Sequence, residues 1–276
     1  MAGMLYLVPT PIGNLGDISQ RARETLEQAD FIAAEDTRVS LKLLNHLGIK
    51  KPLVSYYEHN RAESGPKIID RLLAGETCVL VSDAGSPAIS DPGEDLVRLC
   101  AENDIVVTAI PGPCAVITAL SISGLPTGRF AFEGFLSTNK KSRMEHLQSL
   151  TGEQRTMIFY EAPHKLCNTL QDLAAAFGPD RRISMCRELT KLHEEVIRTT
   201  LQGAMDYYTE LAPRGEYVLV VEGAAPPPAT ELTLEDALQL IADRMADGLS
   251  RKDAVKQISK ETGFAKNALY DAALSL

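Results

Sequence analysis

The sequence predicts an α/β protein with two α/β domains followed by a small C-terminal helical tail. Short apolar segments alternate with segments of helical periodicity through the first half of the chain, and a second series of the same kind follows. A run of three prolines then precedes a final helical stretch. Such alternation predicts a largely parallel sheet with helices on its faces. We expect domains at 1–122 and 123–224, a Pro-rich linker at 225–230 and a tail at 231–276.

The first predicted domain contains four short apolar runs and four segments with the spacing of amphipathic helices. The predicted strands are Met4–Val8, Phe31–Ala34, Cys78–Val81 and Val106–Ile110. The predicted helices are Ile18–Ala29, Ser40–Leu47, Ala62–Leu73 and Glu94–Asn103. Gly48 and Gly75 lie just past two of these helices, where a glycine commonly ends a helix.

The alternation breaks at Ser123–Arg143, which we interpret as a domain junction because glycine, proline and a basic cluster occur together there. A second α/β series follows it. Its predicted strands are Thr156–Tyr160, Arg182–Cys186 and Tyr217–Val221. Its predicted helices are Ser142–Leu150, Lys165–Phe177 and Gly203–Leu211.

The tail contains two short amphipathic segments within Ser250–Leu274, separated by a turn at Gly263. This is the outline of a helix-turn-helix. From Glu231 to Leu276 there are six basic and eight acidic residues, so a plain helical hairpin explains the pattern equally well.

Composition excludes several classes of protein. The formal net charge of −9 argues against coating nucleic acid by bulk electrostatics, so any contact with nucleic acid must be local. The five cysteines form no C-x-x-C pair and the histidines show no ligand spacing, so we expect no metal site. With no long apolar run and no signal-peptide pattern, we expect a cytoplasmic protein without a membrane contact.

Three loops rich in Pro, Gly and small residues follow predicted strands: Pro9–Asn14, Ser82–Gly93 and Pro111–Ala115. Each alone is typical of a turn, but ligands of parallel sheets bind beyond the carboxyl ends of strands, where all three would meet. The chain has no G-x-G-x-x-G, no Gly followed by Lys and no G-x-S-x-G. A nicotinamide enzyme, a P-loop enzyme and a serine hydrolase with the G-x-S-x-G nucleophile motif are therefore disfavoured.

Seven segments resemble the tetrapyrrole-methylase superfamily: YLVPTPIGN, AEDTR, VSDAGSPAISDPG, IPGPCA, FYEAPHK, RELTK and GEYVLVVEG. More narrowly, they resemble its branch that methylates the 2'-hydroxyl of a cytidine in 16S ribosomal RNA. The resemblance implies two α/β domains of tetrapyrrole-methylase type with S-adenosylmethionine in the cleft between them, and S-adenosylhomocysteine as product. It also implies cytidine 1402 of the decoding centre as target, the small ribosomal subunit as partner, and a homodimer.

Carried over residue by residue, the resemblance implies a cofactor site built from six short segments. These residues are Pro11, Ile12 and Gly13; Asp83, Ala84, Gly85, Ser86 and Ile89; Pro111, Gly112, Pro113 and Cys114; Tyr160, Glu161 and Ala162; Leu189; and Glu216.

A ribose hydroxyl is a poor nucleophile, so a base near it would help to remove its proton. The candidate catalytic residues are Glu35, Asp36, Glu188, Lys191 and His193. For Glu35 and Asp36 the alternative is a structural ion-pair cluster with Arg38. For Glu188 and Lys191 it is a surface helix with charges three residues apart.

A cluster of cations is the predicted RNA contact, since phosphates are bound by Lys and Arg. Its members are Arg38, Lys140, Lys141, Arg143, Arg187 and Lys191. An ordinary solvated loop would also account for Lys140, Lys141 and Arg143. Two other functions stay open: methylation of a tetrapyrrole or another small molecule on the same fold, and a ligand-sensing helix-turn-helix regulator.

Overall fold

Two five-stranded sheets organise the first 224 residues in a computed structural model, which describes residues 2–226 and 233–275. The chain divides into two compact units, Met1–Ala224 and Ala225–Leu276. The predicted linker lies outside the described residues from position 227 onward, as do residues 231, 232 and 276.

The first sheet is entirely parallel and has the order β3-β2-β4-β1-β5. Its strands are β1 (Met4–Leu7), β2 (Phe31–Ala34), β3 (Leu53–Ser55), β4 (Cys78–Val81) and β5 (Val106–Ala109). The central strands β2 and β4 are fully buried, as continuous apolar runs in a parallel sheet predict. All five carboxyl ends therefore meet at one edge of the sheet.

Five helices belong to this half: α1 (Gln20–Gln28), α2 (Thr37–Leu47), α3 (Arg61–Leu73), α4 (Gly93–Glu102) and α5 (Ala115–Ile122). Ser19 and Asp36 cap α1 and α2 by accepting hydrogen bonds from Ala22 N and Arg38 N. Gly48 ends α2 with φ 73°. The four predicted strands and four predicted helices are confirmed, with shifts of up to three residues at their ends.

Sequence reasoning missed β3 and α5. The strand begins directly after Pro52, but it is only three residues long and only partly buried, so it lacks an extended apolar run. The helix Ala115–Ile122 is apolar on nearly every side, so its sequence lacks the periodicity that identifies an amphipathic helix.

The second sheet is mixed, with the order β6-β7-β10-β8-β9. Its strands are β6 (Phe130–Phe135), β7 (Thr156–Glu161), β8 (Arg182–Arg187), β9 (Glu195–Thr200) and β10 (Tyr217–Val221), and its helices are α6 (Lys140–Ser149), α7 (Leu166–Phe177) and α8 (Leu201–Tyr207). Only β6 and β7 are parallel. The three predicted strands and three predicted helices are confirmed, whereas β6 and β9 were missed.

Strand β6 lies within Ser123–Arg143, the segment interpreted as a junction. Its register shifts between Phe132 and Gly134, and Gly134 has φ 65°. The glycine therefore marks a bulge inside a strand, which the sequence pattern does not distinguish from a turn.

Helix α5 connects the two sheets. Val116, Ala119 and Leu120 of this helix share an apolar cluster with Ile158 of β7 and Val218 of β10, among other buried residues. Full burial of a valine, leucine or isoleucine side chain contributes roughly 1.5–3 kcal/mol to the stability of the fold. The packing of α5 therefore fixes the edge of the first sheet against the face of the second.

The tail unit consists of α9 (Leu234–Ala246), α10 (Arg251–Thr262) and α11 (Lys266–Ala272). Its small core includes Ile241, Val255, Ile258 and Leu269, all with no exposed surface. Gly263 follows α10 with φ 78°, so the predicted helix–turn–helix arrangement is confirmed, with α9 as an additional helix.

Candidate active site

Hydrogen bonds join the three strand-to-helix loops at the carboxyl edge of the first sheet. Thr10 N donates to Gly85 O at 2.9 Å, and Gly85 N donates to Thr10 O at 3.0 Å. Ser86 Oγ donates to Pro113 O at 3.1 Å. Gly85 has φ 82°, a conformation that residues with a side chain rarely adopt. The loops therefore form one connected backbone surface.

The loop after β4 contains two non-glycine residues in left-handed conformations, Ala88 at φ 67° and Ser90 at φ 62°. Asp91 holds this backbone, because its Oδ1 accepts from Ala88 N at 2.9 Å and from Gly93 N at 2.8 Å. Unusual backbone angles persist where surrounding contacts over-determine them, and they cluster at functional sites.

A cavity of about 510 Å³ lies between these loops and the second sheet. Twelve of the seventeen predicted cofactor residues line it: Ile12, Asp83, Ala84, Gly85, Ser86, Ile89, Cys114, Tyr160, Glu161, Ala162, Leu189 and Glu216. Glu35 lines it as well, and it is the only catalytic candidate that does so among the described residues.

Five predicted cofactor residues do not line the cavity: Pro11, Gly13, Pro111, Gly112 and Pro113. Two of them permit close approach between segments. A β carbon on Gly112 would lie 2.9 Å from Pro9 Cβ, and one on Gly13 would lie 2.5 Å from Lys191 Cγ. The absence of a side chain at Gly13 and Gly112 therefore lets the loops pack closely.

Nine further residues line the cavity: Ser82, Ser90, Asp91, Ala115, Phe135, Pro163, Cys186, Tyr217 and Val218. All but Phe135 and Cys186 lie inside one of the motifs quoted above, and Cys186 precedes RELTK directly. Position within a motif could therefore have identified most of them. Phe135 ends the missed strand β6, so no sequence signal pointed to it.

Three carboxyl groups, Glu35, Asp83 and Asp91, share one part of the cavity wall. Burial raises the pKa of Glu35 above its ordinary value, and the charges of Asp83 and Asp91 raise it further. Burial also raises the pKa of Asp83, whose Oδ1 accepts a hydrogen bond from Asp36 N at 3.0 Å. Glu35 is therefore a stronger base than an ordinary glutamate.

The carboxylate of Asp36 makes different contacts from that of its neighbour Glu35. Its carboxylate caps α2 and lies 2.6 Å from the Arg38 guanidinium, which lowers the pKa of Asp36 to about 2. The Arg38 side chain is 87% exposed. The ion-pair alternative therefore describes Asp36 and Arg38, but Glu35 takes no part in that pair.

Glu188 and Lys191 lie in the loop between β8 and β9, so the surface-helix alternative is wrong. Glu188 and Thr190 have φ 52° and 66°, which no α-helix accommodates. Lys191 Nζ donates to Glu188 Oε1 at 2.8 Å and to Glu216 Oε2 at 2.9 Å. Charges three residues apart meet across a tight turn as well as on a helix, so this spacing alone does not identify a helix.

The contacts of Lys191 shift the pKa of Glu188 and the pKa of Lys191 itself. Hydrogen bonding to Lys191 lowers the pKa of Glu188. Burial opposes the charge of Lys191, but its bonds to Glu188 and Glu216 outweigh burial and raise the pKa of the lysine. Neither group is suited to accept a proton from a substrate at neutral pH.

We expect Lys191→Met to lower the free energy of unfolding at pH 7 by about 1–3 kcal/mol, since Glu188 then loses a charged hydrogen-bond partner. The lowered pKa of Glu188 means that this stabilisation is complete above its ordinary value of 4.5 and is lost as the pH falls through the folded-state pKa. Urea unfolding at several pH values should show the difference from wild type shrinking in acid.

The matched control for this variant is Lys67→Met. Lys67 pairs with Glu63 on α3, and both side chains are more than two-thirds exposed, at 68% and 77%. We expect a change of no more than about 0.5 kcal/mol there. Equal effects of the two variants at pH 7 would contradict a structural role for Lys191.

None of the remaining predicted RNA-binding residues lines the cavity. Lys140 and Lys141 are exposed at the start of α6. Arg143 is mostly buried: its Nε lies 2.7 Å from Asp172 Oδ2, and its Nη1 donates to Ser137 O at 3.0 Å. Arg187 lies 3.2 Å from Glu195. Arg143 therefore holds α6 to α7 and is not a free phosphate ligand in this conformation.

Neither a metal-binding cluster nor a membrane-spanning helix occurs in the part of the chain that the structure describes. In residues 2–226 and 233–275, His, Cys, Asp and Glu side chains form no group of three or more that could hold a metal ion. Over the same ranges, every helix is too short or too polar to cross a membrane. His193 is exposed at the tip of the β8–β9 hairpin.

Two family models match the chain. Residues 4–204 match Tetrapyrrole (Corrin/Porphyrin) Methylases, and residues 231–276 match the RsmI C-terminal HTH domain. Proteins named ribosomal RNA small subunit methyltransferase I are similar over nearly the full length. The protein from Synechocystis is 50% identical over 99% of this chain and 98% of its own. The protein from Halalkalibacterium halodurans is 47% identical over 98% and 94%.

Solved structures agree on the fold. A cobalt precorrin-4 methyltransferase matches with a TM-score of 0.58 at 18% identity, covering 79% of this chain and 94% of that one. Uroporphyrin-III C-methyltransferase from Thermus thermophilus, complexed with S-adenyl homocysteine, matches with a TM-score of 0.54 at 18% identity, covering 79% and 97%. With both α/β sheets and the helical tail accounted for, the chain belongs to the tetrapyrrole methylase family, among the ribosomal RNA small subunit methyltransferases I.

Proposed function

We propose that this methyltransferase transfers a methyl group from S-adenosylmethionine to the ribose 2'-hydroxyl of cytidine 1402 in 16S ribosomal RNA. The observation that supports the substrate class is 50% identity, over 99% of the chain, to a protein named for methylation of small-subunit ribosomal RNA. The nucleotide and the 2'-oxygen come from the resemblance of the seven motifs. The proposed setting is a cytoplasmic homodimer acting on the small ribosomal subunit.

The cavity fits the proposed donor in size and in chemistry. Its volume of about 510 Å³ lies within the range of about 300–1,000 Å³ for sites of small ligands and cofactors. Small residues of the loop after β4 leave backbone open to a ligand, and the rings of Phe135 and Tyr160, 5.4 Å apart, offer an apolar surface. Asp83 offers a negative charge to a ligand that is cationic at its sulfonium and amino groups.

When bound, S-adenosylmethionine supplies an electrophilic methyl group, so the protein has mainly to hold and orient the reactants. The loops after β1, β4 and β5 hold one side, and Tyr160, Ala162 and Leu189 the other. Glu35 is the base that we assign to the ribose hydroxyl: it lines the cavity, and burial raises its pKa above the ordinary value of a glutamate. It accepts the proton at its carboxylate.

The test of this function is transfer of labelled methyl from S-adenosylmethionine to small ribosomal subunits that lack the modification, followed by nucleoside analysis. We expect label in 2'-O-methylcytidine, mapped to position 1402. Label on a base, on another nucleotide, or only on an added tetrapyrrole would contradict the proposal while leaving the methyltransferase family intact.

A further inference from the structure

A second, smaller cavity lies beside the cofactor cavity. It has a volume of about 250 Å³, and Ser82 and Asp83 line both cavities. Its other walls come from the loop after β1 and from one face of α2. Because complete small ligands need about 300–1,000 Å³, this space suits a fragment of a ligand, such as one planar ring.

A buried hydroxyl in the wall of this cavity lacks a partner. Ser40 on α2 is 4% exposed, and its Oγ has no hydrogen-bond partner among the described residues. Buried polar atoms are nearly always paired, because leaving one unpaired is costly. The Ser40 hydroxyl can donate or accept, so it is available to a polar edge of a ligand in the cavity.

The rest of the wall combines apolar surface with basic side chains. Leu15, Val39 and Leu43 provide aliphatic surface, and Leu15 and Val39 remain 45% and 38% exposed. Lys42 and His46 also line the cavity, and neither side chain has an ion-pair or hydrogen-bond partner among the described residues. An aliphatic slot, one hydroxyl and two free basic groups are complementary to a flat polar-edged ring attached to a phosphate.

We propose that this cavity receives the base of the nucleotide that is methylated, after the nucleotide has left its stack. The inference rests on the proposed function and specifies how that substrate is held. Val39 and Leu43 pack against the faces of the base, Ser40 bonds to its edge, and Lys42 and His46 contact an adjoining phosphate. With the base on one side of Asp83, its ribose lies at the boundary with the cofactor cavity, which Glu35 lines.

Filling the cavity tests this assignment. We expect Val39→Trp to reduce kcat/KM for unmodified small subunits by at least about 10-fold, with the Kd for S-adenosylmethionine within 2-fold of wild type. The matched control is Leu73→Trp, on α3, where the leucine is 49% exposed and lines neither cavity. The chain has no tryptophan, so the emission maximum of each variant reports whether its new ring is buried.

The outcomes separate the two proposals. If wild-type protein transfers no methyl to small subunits, the proposed function fails. If wild type is active and Val39→Trp, with a buried ring and intact donor binding, matches Leu73→Trp, the proposed base pocket is overturned and the function stands. Loss of donor binding in Val39→Trp would also overturn it, because the cavity would then belong to the donor.

A second variant tests recognition of the base edge without filling the space. We expect Ser40→Ala to raise the KM for unmodified small subunits by about 3- to 10-fold, the value of one neutral hydrogen bond, with the Kd for S-adenosylmethionine unchanged. Steady-state rates over a range of subunit concentrations provide the comparison. An unchanged KM would overturn the assignment of Ser40, since a purely structural role would alter stability but not the affinity for the RNA substrate.

Discussion

Replacing Glu35 by glutamine is expected to lower kcat by about 10²–10⁴-fold, the usual contribution of a positioned general base. Glutamine keeps the size and a hydrogen-bonding end but cannot accept the proton. Burial raises the pKa of Glu35, so wild-type activity should fall as the pH drops through that raised value, and the variant should lack this acidic limb. Single-turnover rates across the pH range measure both effects.

Stability and donor binding distinguish this loss from misfolding. Because the raised pKa shows that the fold disfavours the charged form of Glu35, its removal should not lower the free energy of unfolding at pH 7. The Kd for S-adenosylmethionine should change little. Glu210→Gln, at an exposed position after α8, is the control. A Glu35→Gln enzyme with more than a tenth of the wild-type kcat would exclude this carboxylate as the base.

Replacing Gly85 by valine is expected to weaken donor binding about 100-fold, or about 2.7 kcal/mol. Gly85 has φ 82°, and a β carbon there would lie 3.3 Å from Ile12 Cγ2 and 3.7 Å from Pro113 O. A branched side chain in this conformation costs about 1–3 kcal/mol in backbone strain and also enters the cavity wall. Calorimetric titration with S-adenosylmethionine and urea unfolding measure the two consequences.

Gly128 provides the control for that experiment. A β carbon on Gly128 would meet no atom within 4 Å, so Gly128→Val should bind the donor as wild type does. Gly85→Ala should fall between wild type and Gly85→Val, because it introduces the backbone strain without the branches. Wild-type donor affinity in Gly85→Val would show that the donor does not lie against this loop.

The parts of the site that could be predicted from the sequence were those encoded in local motifs. The small residues of the loop Ser82–Gly93 predicted a ligand site, and residues of this loop line the cavity. Distant contacts could not be predicted. The bond between Lys191 and Glu216 joins two loops far apart in sequence, and it gives Lys191 a role that its neighbours along the chain do not suggest.

The elements missing from the sequence predictions have the same cause. Apolar periodicity identifies a helix only when one side is polar, so Ala115–Ile122, which is apolar over most of its surface and packs against the second sheet, gave no helical signal. The small cavity beside α2 could not be predicted either. In the sequence Ser40 is an ordinary helical serine, and only the structure shows that its hydroxyl is buried and unpaired. Both cases depend on what surrounds a residue in space.

Helix α5 has a consequence for the thermodynamics of ligand binding. Its apolar face packs with Ile158 and Val218 of the second sheet, and Ile12 from the loop after β1 packs against the same cluster, so separating the two walls of the cofactor cavity would expose these side chains. The cavity is therefore preorganised, and a ligand entering it loses less free energy to ordering the protein. A ligand at 100 times its Kd would add about 2.7 kcal/mol to the stability of both sheets together.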